Sequence, residues 1–294
     1  LFNLFMFYLI IIFIYRDRFA VYIVQLLNSK EKSVKHYPLI IKILLQKSTF
    51  YMKRKIKVCA VIPARSGSKK VKNKNILKIN NHPILAYSIA IAKKSKLIDK
   101  VIFSSDSKNY INIAKNYLPD ILHKRSKKNS SHTATDLDFL KEITQFLIKN
   151  FSYKPDLIVL LRGNCPTRSL SELELAIKNF KKKIQYYSSL RSVSKMSETS
   201  FKTFFLKNGK LCGAFNKKFN IEKLNLPKEK FSETYSGNGY IDIIKTSSIK
   251  NDYLHGNKVM PFINKDICVD IDYHHDIIYA NYLMKTYNYF KLKK

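Results

Sequence analysis

The run Val58 to Ile62, VCAVI, constrains the fold of this chain more than any other stretch. Five apolar residues without alternation read as a strand buried on both faces, the habit of strands in parallel sheets. The run ends at Pro63 and opens into ARSGSKKVKNKN, which gathers Arg65, Lys69, Lys70, Lys72 and Lys74 around Gly67 and two serines, Ser66 and Ser68. In open α/β sheets ligands sit beyond the carboxyl ends of the strands. A cationic loop there suits a polyanion, because Gly67 and the serines let backbone N–H groups approach phosphate oxygens while lysines neutralise them. A solvated basic loop is the plain alternative; position after a strand favours the phosphate reading.

The pattern then repeats. Lys100 to Ser104 and Ile121 to Arg125 read as a second and a third strand, and Pro155 to Leu161 as the strongest, most central one. Helical spacing covers Pro83 to Lys94, Lys108 to Tyr117, Leu137 to Asn150 behind a Thr135-Asp136 cap, and Ser169 to Phe180. Strands alternating with helices predict an α/β fold: a Rossmann-like, mostly parallel sheet with helices on both faces, wound right-handed. Tyr187 to Val193 and Tyr240 to Lys245 add strands. Residues 196–238, lysine-rich with weak periodicity, read as an excursion from the sheet, closing in a turn-rich lead, Tyr235 to Gly239.

Near the other end lies Val269-Asp270-Ile271-Asp272. In a strand, residues two apart share a face, so Asp270 and Asp272 can converge on one cation. Hard oxygen ligands suit Mg²⁺, which also takes oxygens from a nucleotide phosphate. A helix from His275 to Lys285 follows, with Asp276 in its first turn as a partner for the helix dipole. His274 and His275 read as a surface pair at its start.

Charge is the one compositional feature that could mislead. The formal net charge of +33 would ordinarily point to nucleic acid, yet forty-six lysines and only eight arginines are scattered over the whole chain. That is a compositional bias rather than a footprint, and no nucleic-acid partner is expected. Four cysteines, Cys59, Cys165, Cys212 and Cys268, lack metal or disulfide spacing and read as reduced packing residues of a cytoplasmic protein. Leu1 to Tyr15 is almost wholly apolar, but shorter than a spanning helix and without the flanks of a signal peptide. Because Met52 directly precedes the first strand, residues 1–51 read as an upstream extension outside a domain at 52–294. Membrane contact is expected only if that extension belongs to the native protein.

The order Ile62-Pro63-Ala64-Arg65-x-x-Ser68-Lys69, followed by Lys74-Asn75, resembles the signature loop of the N-acylneuraminate cytidylyltransferases and their CMP-Kdo and CMP-legionaminate relatives. The resemblance implies a nucleotide-diphospho-sugar transferase fold, a homodimer built through the excursion, and a triphosphate loop for CTP. In it Ala64, Arg65, Ser68, Lys69, Lys74 and Asn75 would bind nucleotide, Arg65 and Lys69 holding the β- and γ-phosphates and Lys74 the α-phosphate. Aligned on Thr133-Ala134, the arginine that contacts the base falls on Arg125, and backbone near Ala134 reads the cytosine edge; His132 stands where the family has aspartate. Arg162 to Arg168, RGNCPTR, occupies the place of the loop that faces the sugar. Arg162 replaces a glutamine there, and its planar fork suits a carboxylate. Arg168 and Asn238 would also meet the sugar, and Asp270 and Asp272 would carry Mg²⁺.

The reaction so implied moves CMP from CTP to an acidic nine-carbon sugar, with Arg65, Lys69, Lys74 and Asp272 as catalytic groups. Either aspartate or a water on the metal would take the proton. Two other readings stay open from the residues: a CMP-Kdo synthetase or other sugar nucleotidyltransferase, and a non-catalytic, membrane-associated homologue.

Overall fold

The computed structural model describes residues 55–215, 220–287, 289, 290 and 292. From Ile56 onward these form one unit, and the expectation for residues 1–51 lies outside them. In chain order come β1 (Val58–Pro63), a 3₁₀ turn (Lys74–Ile76), the two-residue strands β2 (Lys78–Ile79) and β3 (His82–Pro83), α1 (Ile84–Lys94), β4 (Lys100–Ser105), α2 (Lys108–Lys115), β5 (Ile121–Lys124), the short α3 (Lys127–Ser130), α4 (Asp136–Phe151) and β6 (Leu157–Leu160). The second half adds α5 (Leu170–Lys182), β7 (Ser189–Lys195), the hairpin β8 (Phe204–Lys207) and β9 (Lys210–Gly213), α6 (Ile221–Leu224), β10 (Tyr235–Lys245), α7 (Thr246–Lys250), β11 (Val259–Ile263) and α8 (His274–Thr286).

Seven strands form one sheet in the order β11-β7-β10-β6-β1-β4-β5. Every neighbouring pair is parallel except the two that involve β10. The continuous apolar runs follow from burial on both faces. Val58, Ala60 and Ile62 of β1 join a cluster with Leu85 and Ile89 of α1 and Leu173 and Ile177 of α5, while Cys59 and Val61 point the other way, to Phe139, Leu140 and Ile143 of α4. Both faces are therefore covered by helices, as expected. Three helix starts around the site are fixed locally: Ser107 caps α2, Ser169 caps α5, and Thr135 makes a reciprocal capping box with Asp138 on α4.

Several boundaries differ from the sequence reading. β11 was not anticipated; it is an edge strand, where Pro261 is tolerated because one side of the ladder is open. The stretch Tyr235 to Gly239 is not a turn but the first half of β10, which shifts register between Gly237 and Asp242. The hairpin signal lies instead at Asn208-Gly209, both with positive φ, joining β8 to β9 as a two-residue turn requires. Val269 to Asp272 belongs to no strand among the described residues. Its alternation survives without a ladder, because Val269 and Ile271 bury against Ile79, Ile84, Tyr87 and the α8 residues Ala280, Leu283 and Met284. Asp270 and Asp272 are thereby left facing outward. Asp276 accepts from the backbone N–H groups of Asp272 and Tyr273, closing the start of α8.

His123 of β5 is a buried imidazole set between Ser104 Oγ (2.9 Å from Nδ1) and Glu142 Oε1 (3.3 Å from Nε2). A neutral ring satisfies both, accepting from the serine and donating to the carboxylate. Burial holds it below the usual imidazole range, with Glu142 opposing and Arg125 assisting. The unfolded chain therefore takes up the proton more readily than the folded one, so this contribution is full above the ordinary value and lost as pH falls through it. Thermal unfolding should show Tm declining once pH drops below about 6.5, and a Tm flat from pH 7.5 to 5.5 would exclude the assignment.

Candidate active site

The carboxyl end of β1 opens onto a cleft of about 330 Å³ lined by the loop after β1, the segment between β5 and α4, the loop after β6 and the acid segment before α8. Arg65, Lys74, Asn75, Arg125, Ala134, Arg162, Asp270 and Asp272 all face it. Two hundred residues of sequence separate the basic loop from the twin acids, and here they touch. Lys74 Nζ lies 2.7 Å from Asp272 Oδ1, and Lys70 Nζ 3.1 Å from Oδ2. The hydrogen bond from Lys74 outweighs burial and, with Lys70, holds the Asp272 carboxyl below its usual range. Asp270 shows the opposite. Protein atoms around it displace water and push its carboxyl up, Lys74 opposes, and Asp272 adds repulsion.

The loop after β1 is built more tightly than its composition suggests. Ser66 donates through its backbone N (2.9 Å) and its hydroxyl (2.8 Å) to the two oxygens of Asp106, at the end of β4. Ala64 N donates to Ser104 O, and Ser68 N to Ser66 O. The N–H groups of Ser66 and Ser68, two of those expected to reach phosphate, are thus already used. Asn75, almost fully buried, donates to Arg65 O and pins the loop from behind. What remains for an anion is side-chain charge: Arg65 and Lys74 in the cleft, with Ser68 and Lys69 outside its lining.

Arg125 is not the surface cation that charge alone would suggest. It is 7% exposed, stacked over the Phe139 ring at 3.8 Å, and its Nε and Nη2 have no hydrogen-bond partner. Burial pulls the guanidinium below its ordinary value, yet it stays charged at neutral pH. A buried donor left unpaired costs about 1–3 kcal/mol, so two of them beside a cleft mark a place that a ligand acceptor would satisfy. Ser131, Ala134 and Thr135 continue this wall, with Ser131 O accepting from Arg65 and Ser131 Oγ accepting from Ala134 N.

The two arginines expected to meet a sugar separate. Arg162 faces the cleft and pairs with Asp136 at 2.7 Å. Arg168 is 1% exposed and lies outside the lining; it donates to the carbonyls of Tyr240, Gly239, Cys165 and Arg162 and to Ser88 Oγ. That expectation is corrected: Arg168 ties the β6 loop to β10. Asn238 is also turned away, its amide donating to Ser194 and Asn264 and its oxygen accepting from Tyr240 N. Cys165 and Cys268 bring their sulfurs to 3.2 Å, joining the same loop to the acid segment. Asn164, missed in the sequence, holds that segment directly, donating to Asp270 and accepting from Ile271 N through its carbonyl.

The sequence model of the cytidylyltransferase family matches residues 59–266. The chain belongs to that family. Among relatives, the flagellin modification protein B of Campylobacter coli is 29% identical over 233 residues, covering 79% of this chain and 96% of that protein. A bifunctional protein of Helicobacter pylori, named pseudaminic acid cytidylyltransferase and UDP-2,4-diacetamido-2,4,6-trideoxy-beta-L-altropyranose hydrolase, is 35% identical over 155 residues. That match covers 52% of this chain and only 29% of the Helicobacter protein. A solved CMP:2-keto-3-deoxy-manno-octonic acid synthetase with CTP shares the fold, with a TM-score of 0.58 at 14% identity over 78% of this chain and 98% of its own.

In this cytidylyltransferase Asp106, Asp136 and Asn164 each hold a residue of the expected motifs: Asp106 accepts from Ser66, Asp136 pairs with Arg162 and Asn164 donates to Asp270. Asp136 had a sequence signal only as part of a helix cap and Asn164 only as a member of RGNCPTR; what each of the three pairs with depends on which loops meet. The glycines invert expectation as well. A Cβ at Gly67 meets nothing within 4 Å, whereas one at Gly163 meets Pro63 O at 3.0 Å and Ala64 Cβ at 3.2 Å. Gly67→Ala should therefore leave stability within about 0.5 kcal/mol. Gly163→Ala should force the β6 loop from the β1 loop and cost about 1–3 kcal/mol in denaturant unfolding; equal effects would contradict the geometry.

Proposed function

We propose that this protein transfers CMP from CTP to the anomeric hydroxyl of an acidic nine-carbon sugar, of the sialic, legionaminic or pseudaminic type, with release of pyrophosphate. The observation that carries the reading is the meeting of Lys74 and Asp272 across a cleft whose wall holds Arg125 with two unpartnered nitrogens. Arg125 and the backbone near Ala134 are suited to the cytosine, Arg65 to the β- and γ-phosphates, and Lys74 to the charge that develops at the α-phosphate; Lys69 stands beside the cleft and not in its lining, and carries no phosphate in this proposal. Arg162 is suited to the sugar carboxylate. Arg168 and Asn238 enter this proposal only as supports of the surrounding loops.

Little covalent work is asked of the protein: the sugar oxygen bonds to the α-phosphorus as the α–β anhydride bond breaks, and catalysis rests on alignment and charge. The Lys74–Asp272 contact keeps the lysine extended across the cleft, where the α-phosphate would lie. Among the described residues no group of three or more His, Cys, Asp or Glu could hold a metal. Asp270 and Asp272 nonetheless fit the hard-oxygen pair that suffices for a Mg²⁺ which keeps its waters and takes phosphate oxygens, and would hold it there to supply charge neutralisation. Asp270 or Asp272 is the proposed acceptor of the hydroxyl proton.

A homodimer is the proposed assembly. Its support is the hairpin of the excursion, where Phe205, Leu206 and Leu211 are 47–75% exposed. No helix among the described residues is long and apolar enough to cross a membrane. We place the reaction in the cytoplasm, where CTP is found.

Pyrophosphate release with CTP, assayed against N-acetylneuraminic, N,N'-diacetyllegionaminic, pseudaminic and 2-keto-3-deoxy-manno-octonic acids, should give turnover with at least one nine-carbon acid. Lys74→Ala should lower kcat about 10²–10³-fold in a protein with unchanged circular dichroism. No turnover with any acid would sink the assignment.

A further inference from the structure

The cleft contains one ion pair that the phosphate loop and the acid pair do not explain. Asp136, the first residue of α4, places Oδ2 2.7 Å from Arg162 Nη2, and each side chain is 31% exposed. Both line the cleft. Thr135 already caps α4 and Asp138 completes the capping box, so the helix start does not need a carboxylate at position 136. Asp136 also lies within electrostatic reach of Arg125, on the same wall.

Arg162 leaves β6 through a crowded passage, its Cδ 3.4 Å from where a Cβ of Gly239 would stand; Gly239 has a positive φ that keeps that position a glycine. The stem is thereby confined, while a guanidinium on a long side chain still turns about its last torsions. One corner is fixed by Asp136, and a planar fork held at one corner presents its other N–H edge in a single direction.

We propose that Asp136 is a positioning residue for acidic-sugar recognition: it holds the Arg162 guanidinium so that its remaining edge receives the sugar carboxylate. This rests on the cytidylyl-transfer reading above. The hydrogen bond of Asp136 goes to Arg162, while Arg125 feels it only at longer range, so its main effect falls on the sugar and the smaller one on the nucleotide that the β1 loop and Arg125 would hold.

The test is a steady-state comparison of wild type, Asp136→Ala and Asp136→Asn, with CTP and the three nine-carbon acids named above. Asp136→Ala should raise KM for the sugar acid about tenfold, leaving KM for CTP and kcat within about threefold. Asp136→Asn, which keeps an oxygen for Nη2, should recover most of that loss. A melting temperature equal to wild type separates positioning from folding; if Asp136→Ala fails to fold, the Asp136→Asn and Asp136→Glu values are compared in its place. An unchanged sugar KM, or a loss falling on CTP or on kcat, overturns the proposal while wild-type turnover leaves the cytidylyl-transfer reading intact. Wild type that releases no pyrophosphate with any of the acids overturns that reading and this one together.

Discussion

The site depends on a hydrophobic contact made by the residues that alternate with its two carboxylates. Val269 and Ile271 insert into the cluster of Ile79, Ile84, Tyr87, Ala280, Leu283 and Met284. Burying a side chain of that size is worth about 1.5–3 kcal/mol, enough to hold a segment that belongs to no strand. Burial alternates along the segment, so seating those two residues inward leaves Asp270 and Asp272 outward. The carboxylates thus reach the β1 loop through packing rather than through attraction alone, and the contact between Lys74 and Asp272 is made by groups already brought close.

The cleft is best seen as four loops, each fixed by something other than its motif. The β1 loop is held by Asp106 from β4 and by Asn75 from below. The loop after β6 is held by Arg168, whose guanidinium is consumed by carbonyls of that loop and of β10. Asn164 links it to the acid segment. Glu142 holds the segment before α4, accepting from Ser126 and from Asn129. Such supports leave Arg125, Arg162, Lys74 and Arg65 as the cations exposed to the cleft. A constellation of this kind is preorganised by neighbours whose own hydrogen bonds are complete.

The comparisons fit this division. Membership of the cytidylyltransferase family spans residues 59–266, while the shared fold with a CMP:2-keto-3-deoxy-manno-octonic acid synthetase persists at 14% identity. Positions that set sheet order tolerate exchange among apolar residues, so fold likeness outlasts sequence likeness. The loop RGNCPTR is fitted to its surroundings residue by residue. Gly163 there answers to the closeness of Pro63 and Ala64, Cys165 to Cys268, and Asn164 to Asp270.

The sequence by itself determined the parallel sheet, the capped helices and the two charged motifs, because apolar runs, caps and loop charges act over a few residues and leave local patterns. Asn208-Gly209 and Asn238-Gly239 show the limit: the same dipeptide closes a hairpin in one place and sits inside a strand in the other, since only the neighbouring strand decides. Arg162 and Arg168 show it again. Both are arginines of one loop, and nothing within seven residues tells that one faces the cleft and the other is spent on buried carbonyls. Tertiary structure alone decided that, along with the pairing of Asp136 to Arg162 and the bare nitrogens of Arg125, because each depends on which distant backbone arrives beside the side chain.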